Sequence, residues 1–233
     1  MDASKFSIDP NLARASTLPA NCYMDAEVLR SEMRSVFGRT WQLVGRLDQV
    51  SAPGDYFTTT VAAEPVIVAH GTDGQIRAFS NVCRHRAGPV AAGCGNRKAL
   101  QCGYHGWSYS LAGKLLTTPE FDGVEGFSKD SVELPRFRVE TWGPLLFLNL
   151  SSDGPSLTET LEDLPDRIKH RDLTRMKSAI RKDWYVDCNW KVYVDNYLEG
   201  YHIPIVHPTL NRELDYQNYR VETRRYYSIQ HSP

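Results

Sequence analysis

Four side chains of the kind that bind metals, arranged in two short pairs, constrain this sequence more than any other feature. Cys83 and His85 form the first pair and Cys102 and His105 the second, so the pattern reads Cys-x-His, sixteen residues, Cys-x-x-His. Each pair supplies one soft thiolate and one imidazole. Small residues crowd both pairs: Ala87, Gly88, Gly103 and Gly106. Such residues let a backbone approach a bound group closely, so we expect two loop tips that clamp one inorganic cofactor between them.

The mixed composition of each pair favours an iron–sulfur centre over a zinc ion. A [2Fe–2S] centre of the Rieske kind binds two cysteines on one iron and two histidines on the other. Cys83 and Cys102 would then bind the first iron, and His85 and His105 the second. A structural zinc site with the same four ligands is the alternative, but zinc fingers usually pair Cys with Cys and His with His. We also expect Trp107 to pack beside the centre and shield it from water.

The region around these pairs is predicted to be an all-β domain. Between residues 40 and 150, short runs of strand-forming residues alternate with turns that contain Gly and Pro. Strand patterns cover residues 56–61, 64–69 and 75–80, and residues 143–150 are typical of a buried closing strand. We place a Rieske-type all-β domain at residues 41–150. An N-terminal arm and helix precede it at residues 1–40.

The pattern changes after residue 150. Apolar residues at helical spacing predict helices over residues 157–170 and 190–200, and strand patterns cover residues 176–187 and 220–229. A similar helical pattern in the N-terminal region covers residues 25–37, with Asp25 and Gly38 as its caps. We therefore predict an α+β second domain over residues 151–233, so that the chain as a whole is α+β.

Charge and cysteine content exclude several classes of protein. The 233 residues include 27 Lys and Arg against 28 Asp and Glu, which does not fit a general nucleic-acid binder. No apolar run approaches the length of about 18 residues that a membrane span needs. Five cysteines are an odd number, which argues against a disulfide scaffold and favours the reducing cytoplasm. We expect Cys22 and Cys188 to pack in the core and Cys94 to be a loop thiol.

A second group of candidate ligands follows in residues 188–208. Glu199 and His202 are three residues apart and would share a helix face. Pro204 would break that helix and bring His207 back beside His202. Two histidines that converge with one carboxylate form the metal-binding face of non-haem Fe(II) oxygenases. Alone, such histidines would more often be packed core residues, but an electron-delivering cluster in the same chain needs an acceptor.

Three tyrosines in the same segment allow two interpretations. Tyr193, Tyr197 and Tyr201 recur at intervals of four residues, which predicts a packing stripe on one face of a helix. The alternative is a binding site, because tyrosine rings can hold a quaternary ammonium group by cation–π interaction.

Together these motifs resemble those of the α (oxygenase) subunit of the Rieske non-haem iron oxygenases, the ring-hydroxylating family. The resemblance rests on residues 83–86 (Cys-Arg-His-Arg) and residues 104–107 (Tyr-His-Gly-Trp). It rests also on residues 189–191 (Asn-Trp-Lys), which are followed by an acid three residues before a histidine. It covers about residues 25–233. It implies a Rieske domain followed by a helix-grip catalytic domain, a [2Fe–2S] cluster, and a mononuclear Fe(II) bound by His202 and His207.

The resemblance also implies partners and a role for Glu199. Electrons would come from a reductase with flavin or iron–sulfur cofactors, directly or through a ferredoxin, and pass to the mononuclear iron of a neighbouring subunit in a homotrimer or an α3β3 assembly. Glu199 would be the acid that bridges one subunit's iron site to the cluster histidine of the next. O2 and a small organic substrate would react there, with no part for nucleic acid or membrane.

The substrate and the completeness of the site follow from the same resemblance. Glu199 within residues 196–202 is similar to members that act on carnitine, choline or glycine betaine, and aromatic compounds are the other substrate class. The family's third iron ligand, an Asp, comes from far downstream, so we expect this chain to be an N-terminal portion with an incomplete catalytic pocket. The alternative function is a Rieske ferredoxin-like electron carrier, for which residues 41–150 would suffice.

Overall fold

A computed structural model describes residues 9, 11–177, 179–180 and 182–232 of the chain. The chain divides into two compact units. The Rieske unit consists of residues 33–160 and 170–176, and the second unit consists of the described residues within 1–32, 161–169 and 177–233. Among the described residues, no helix has both the length and the apolar character to span a membrane.

The strands and helices are short. The strands are β1 (Gln42–Arg46), β2 (Asp55–Val61), β3 (Glu64–His70), β4 (Ile76–Ser80), β5 (Cys94–Asn96), β6 (Leu100–Gln101), β7 (Ser108–Tyr109), β8 (Leu115–Thr117), β9 (Arg136–Trp142), β10 (Leu145–Asn149), β11 (Arg220–Thr223) and β12 (Ser228–His231). The α-helices are α1 (Asn21–Met24), α2 (Ala26–Glu32), α3 (Leu157–Leu161), α4 (Leu164–Arg167), α5 (Trp190–Tyr197), α6 (Ile203–Val206) and α7 (Pro208–Glu213). A π-helical turn covers Met33–Phe37. Short 3-10 turns cover Leu47–Val50, Lys129–Ser131, Leu173–Arg175 and Tyr216–Asn218.

The Rieske unit is built on an antiparallel seven-stranded sheet with the order β1-β10-β9-β4-β3-β2-β5. The centre of strand β3, residues 66–69, is apolar because both of its faces are covered. Ile67 and Ala69 face one apolar core, and Val66 and Val68 face another, as the two-residue period of a strand requires. A second, three-stranded sheet has the order β6-β7-β8. The prediction of an all-β domain in this region is confirmed, and the predicted strands lie within one residue of β2, β3 and β4.

The second unit contains six of the α-helices named above (α1, α2 and α4 to α7), the last residue of α3, and a β11–β12 hairpin. Salt bridges tie this hairpin to α4. Arg167 contacts Asp163 at 2.8 Å and Glu222 at 2.8 Å, and the Tyr227 hydroxyl donates to Asp163. The hairpin therefore has a fixed position within this unit, on which part of the site described below depends.

Several predicted elements differ from those in the structure. The helix expected over residues 157–170 is two helices, α3 and α4. Pro165 lies in the first turn of α4, and a proline in the middle of one continuous helix would lose a hydrogen bond and clash with the preceding turn. The helix expected over residues 25–37 changes to the π-helical turn at Met33, although the Asp25 carboxylate does accept from the Glu27 N–H at 2.7 Å.

The strand predicted over residues 176–187 is wrong for the part of that segment that the structure describes; Ser178 and Arg181 lie outside it. Trp184 and Tyr185 have strand-forming side chains, but they are 77% and 98% exposed. A strand needs a hydrogen-bonded neighbour as well as a suitable composition. The strand predicted over residues 220–229 is instead the β11–β12 hairpin.

The turn between β2 and β3 contains two alanines in a conformation that favours glycine. Val61 pairs with Glu64, so the loop has two residues, Ala62 and Ala63, with φ of 50° and 68°. Two-residue hairpins of this type favour Asn and Gly because both residues need positive φ. An alanine in this region costs about 1–2 kcal/mol relative to the right-handed region.

We predict that Ala63→Gly stabilises the Rieske unit. Ala63 is exposed, so the substitution removes strain without opening a cavity. The gain should exceed the entropic cost of glycine by about 0.5–1 kcal/mol and raise the unfolding temperature by about 2–4 °C in calorimetry. Ala112→Gly is the matched control, because Ala112 is an exposed turn residue without positive φ. It should destabilise slightly, and equal effects of the two substitutions would contradict the account.

Candidate metal centres

Cys83 and Cys102 begin two turns of the same design. In each turn, the cysteine C=O accepts from the N–H four residues later, at 3.0 Å in the first and 3.1 Å in the second. The cysteine N–H donates to the C=O five residues later, at 2.9 Å in both. The residue four positions after the cysteine has positive φ in both turns, 56° at Ala87 and 73° at Gly106. The sequence therefore folds into two equivalent tips, each of which presents a thiol at its start.

The two thiols lie inside and the two imidazoles lie towards the surface. Cys83 and Cys102 are 4% and 2% exposed, whereas His85 is half-buried and His105 is exposed. The imidazole rings are 4.7 Å apart between centroids and meet edge to face. A Cβ added to Gly88 would lie 3.2 Å from the Sγ of Cys102, so the first tip passes close to the second. The structure therefore brings all four predicted ligands to one place, with sulfur and nitrogen on separate sides.

The surroundings of His85 fit a metal ligand. Its Nδ1 is buried and makes no hydrogen bond, although a buried polar atom without a partner is unfavourable. Burial, reinforced by the positive neighbours His105 and Arg86, lowers the pKa of His85. The neutral imidazole that results has a lone pair available for a metal. In the described part of the chain, no three His, Cys, Asp or Glu side chains are placed so that they could hold one metal ion together.

Aromatic side chains cover the same centre. Trp107 is buried and stacks on His85, with the ring centroids 4.8 Å apart and the planes within 9°. Phe121 meets both rings edge to face, and Phe127 packs against Trp107 and Phe121. The prediction that Trp107 packs beside the ligands agrees with this arrangement, while the contribution of the two phenylalanines was not predicted.

Tyr109 is a further functional candidate, which the motifs in the sequence do not identify. Its hydroxyl lies 3.2 Å from the Sγ of Cys83 and accepts from the Arg84 N–H at 3.0 Å. Burial, followed by the hydrogen bond to Cys83, raises the pKa of Tyr109 well above its usual value. The hydroxyl therefore keeps its proton and could donate it to the sulfur once Cys83 is a metal-bound thiolate. In the sequence, only its position two residues after Trp107 could have indicated a role for Tyr109. In the structure it lies in β7 and is buried.

His202 and His207 lie close together in the second unit. His202 immediately precedes α6 and His207 immediately follows it, and the ring centroids are 5.3 Å apart. The expected route to this arrangement is wrong. Helix α5 already ends at Tyr197, and Pro204 lies in the first turn of α6, where a missing N–H costs nothing.

Glu199 orients the first of these histidines. Its Oε1 accepts from the Nδ1 of His202 at 2.5 Å, and its Oε2 accepts from the backbone N–H of His202 at 3.3 Å. Because Nδ1 holds the proton for this bond, Nε2 is left with the free lone pair. Metal-binding histidines commonly use one ring nitrogen for the metal and donate from the other to a carboxylate. The residues present therefore fit a metal bound at Nε2.

A cavity of about 480 Å³ lies beside this pair. Its lining includes Glu199, His202, His207, Tyr197 and Tyr219. The ring of Tyr219 rests on the backbone of Gly200, where a Cβ would lie 2.5 Å from the ring. Burial and the negative charge of Glu199 raise the pKa of Tyr219. Tyr219 comes from the chain before β11, and no local pattern in the sequence connects it with the histidines.

The other local carboxylates are engaged elsewhere. Asp195 accepts from the Tyr23 hydroxyl at 2.7 Å, and Asp215 accepts from the Asn218 side chain at 2.6 Å.

Some expectations about single residues are wrong. Cys22 is buried, as expected, and Cys94 is exposed, but Cys188 is exposed rather than part of the core. It lies in an irregular segment directly before α5. The tyrosine stripe is also largely exposed in the described chain, with Tyr193 and Tyr201 at 58% and 76%.

Comparisons with known proteins support both halves of this arrangement. The family model of the Rieske [2Fe-2S] domain matches residues 40–128, and the model of the ring hydroxylating alpha subunit catalytic domain matches residues 170–231. The first match supports iron–sulfur over zinc. The second does not fit a carrier made of a Rieske domain alone.

Similar proteins extend the match over nearly the whole chain. Choline monooxygenase of Arabidopsis thaliana is 36% identical over 98% of this chain and 58% of its own length. The carnitine monooxygenase oxygenase subunit of Acinetobacter baumannii is 30% identical over 97% of this chain and 61% of its own length. The chain thus spans about three-fifths of these relatives.

A crystal structure of the quaternary ammonium Rieske monooxygenase CntA with L-carnitine superposes with a TM-score of 0.85 and 29% identity, over 93% of this chain and 62% of that one. The sequence and structural matches cover both units and keep the same order of domains. The chain belongs to the Rieske non-haem iron oxygenases, with a Rieske [2Fe–2S] domain followed by catalytic-domain sequence of the ring-hydroxylating α subunits.

Proposed function

We propose that this chain acts within the oxygenase subunit of a Rieske-type oxygenase, which uses O2 to hydroxylate a small organic substrate. The observation that carries the proposal is that one chain contains two separate sets of ligands. Two buried thiols and two outer imidazoles form the first, and His202 and His207, which line a cavity, form the second. An electron carrier has no use for the second set.

The ligand assignment follows from the chemistry of the donors. Cys83 and Cys102 would hold one iron of the [2Fe–2S] cluster, and His85 and His105 the other. His202 would hold the mononuclear Fe(II) through Nε2, together with His207. When bound, the cluster supplies single electrons and the Fe(II) supplies a site for O2. The protein's own contribution is to orient these ligands and to exclude water from them.

Glu199 determines which ring nitrogen of His202 carries the proton. Its carboxylate keeps the proton of His202 on Nδ1, so that Nε2 remains a ligand. One-third of the Glu199 side chain is exposed, which leaves part of the carboxylate accessible to a second partner. By resemblance to the family, that partner would be a cluster histidine of a neighbouring subunit, and Glu199 would connect the two centres.

We propose a quaternary ammonium compound as the substrate, with an aromatic compound as the second candidate. Two proteins of similar sequence, described above, are a choline monooxygenase and the oxygenase subunit of a carnitine monooxygenase, and both of these names refer to quaternary ammonium compounds. Tyr197 and Tyr219 line the cavity and can attract such a cation by their ring faces, while Glu199 adds negative charge.

The partners would be a reductase with flavin or iron–sulfur cofactors, with or without a ferredoxin between them. The assembly would be a homotrimer or α3β3. A reducing compartment such as the cytoplasm suits the five cysteines, all of which are free.

We predict that His202→Ala in the holoenzyme reduces product formation by more than about 100-fold, because loss of a metal ligand is more severe than loss of its supporting partner. Product should be measured by mass spectrometry with ¹⁸O2, and cluster content by the EPR signal after reduction. His170→Ala is the control, since His170 is exposed and belongs to the Rieske unit. Unchanged turnover in His202→Ala with the cluster intact would remove the mononuclear site from the proposal.

We predict that Tyr109→Phe lowers the reduction potential of the cluster. Without the hydroxyl, the Cys83 sulfur retains more negative charge, which favours the oxidised form. A hydrogen bond of about 1 kcal/mol corresponds to about 40 mV for one electron. Tyr56→Phe is the matched control, because Tyr56 is buried in the same core but its hydroxyl contacts the Ala92 C=O. Equal shifts in the two variants, measured by redox titration, would argue against a specific effect on the sulfur.

A further inference from the structure

The Asn-Trp-Lys triplet at residues 189–191 has no part in the function described above. It forms the N-cap and first turn of α5. The cavity beside the two histidines is lined from Asn196 onwards on this helix, so the triplet lies outside it. Its contacts are instead with the N-terminal segment, defined here as residues 21–32, which contains α1 and α2.

The centre of this contact is a buried ion pair. Lys191 is only 7% exposed, and its ammonium donates to both carboxylate oxygens of Glu32 at 2.7 Å. The Nε1 of Trp190 donates to the same carboxylate at 2.9 Å. A buried ammonium is strongly unfavourable without a counter-charge. Lys191 can therefore remain buried, and α5 can keep its position, only while Glu32 is in place.

Tyr23 extends the contact to both ends of the helix. Asn189 caps α5 by accepting from the Lys191 N–H at 3.1 Å, and its side-chain amide donates to the Tyr23 C=O at 3.2 Å. The Tyr23 hydroxyl donates to Asp195 at 2.7 Å, and its ring lies 5.6 Å from the Lys191 ammonium. Asp195 is one helical turn beyond Lys191. The N-terminal segment thus holds α5 at two successive turns.

We infer that the N-terminal segment positions the mononuclear metal ligands through this triplet. Helix α5 ends at Tyr197, and Glu199 and His202 follow within five residues. Any shift of the helix end moves the carboxylate that fixes the His202 ring. Glu32 and Tyr23 are thus positioning residues for Glu199 and His202, although more than 160 residues separate them in the sequence. The inference rests on the proposed function, because it requires a metal at His202 and His207.

The test is the affinity of the mononuclear site for Mn²⁺ alone in Glu32→Gln holoenzyme from which the mononuclear metal has been removed. Bound Mn²⁺ is counted from the loss of the EPR signal of free Mn²⁺, with the cluster oxidised and therefore silent. Loss of a supporting contact should weaken binding roughly tenfold, while the EPR signal of the reduced cluster stays unchanged. Glu27→Gln is the matched control, since Glu27 is on the same helix and pairs with Arg30 at the surface.

The alternatives give different results. A purely structural contact would lower the unfolding temperature of Glu32→Gln but leave Mn²⁺ affinity within about twofold of wild type, which would overturn the inference. Equal weakening in Glu27→Gln would also overturn it. If Glu32→Gln does not fold, Tyr23→Phe replaces it. That variant loses only the bond to Asp195 and should weaken binding by about threefold, and unchanged affinity would overturn the inference. Failure of the proposed function gives a different result. In that case wild type itself shows no Mn²⁺ binding that depends on His202, so wild type and His202→Ala behave alike.

Discussion

The Rieske unit depends on the burial of two sulfur ligands against an apolar core. Cys83 and Cys102 belong to the same core as Ile67 and Ala69 of β3. A thiolate in such a place needs both a cation and hydrogen-bond donors, since an isolated buried charge is strongly unfavourable. Cysteines buried in this apolar core are therefore compatible with a bound cluster, because its iron would compensate the negative charge of the sulfurs. The face of β3 that carries Ile67 and Ala69 belongs to this core, so its burial also keeps water away from the sulfurs.

Local features of the sequence were sufficient to predict strands β2, β3 and β4 and the two tips of this unit. A strand buried on one or both faces has a period of two or a continuous apolar run, and β2, β3 and β4 follow these patterns. The two tips were predictable because each is closed within six residues by its own backbone hydrogen bonds. Tyr109 was not predictable in the same way. Its role depends on a contact with Cys83, 26 residues away, which only the pairing of the tips creates.

The second unit was harder to predict because its elements are short and depend on distant contacts. Composition suggested a strand at residues 176–187, but no neighbouring strand is available in the described chain. Pro165 and Pro204 both start helices rather than ending them, which a periodic pattern does not distinguish. His202 and His207 lie close together as the sequence suggested, but the predicted cause, a helix break at Pro204, is wrong because α6 begins there. Tyr219 and Glu32 were not predicted, because they come from parts of the chain that are distant in sequence from the two histidines.

Hydrogen bonds act in opposite senses on the ligands of the two proposed centres. The Tyr109 hydroxyl lies 3.2 Å from the Cys83 sulfur and would donate to it in the thiolate form; such a donor withdraws negative charge and would make the cluster easier to reduce. Glu199 accepts from His202, and an acceptor on an imidazole makes the other nitrogen a stronger ligand. The first interaction favours collection of an electron by the cluster. The second favours retention of a divalent metal at a site with few protein ligands. The same chain therefore uses a neutral donor where charge must be stabilised and an anionic acceptor where a neutral ligand must be strengthened.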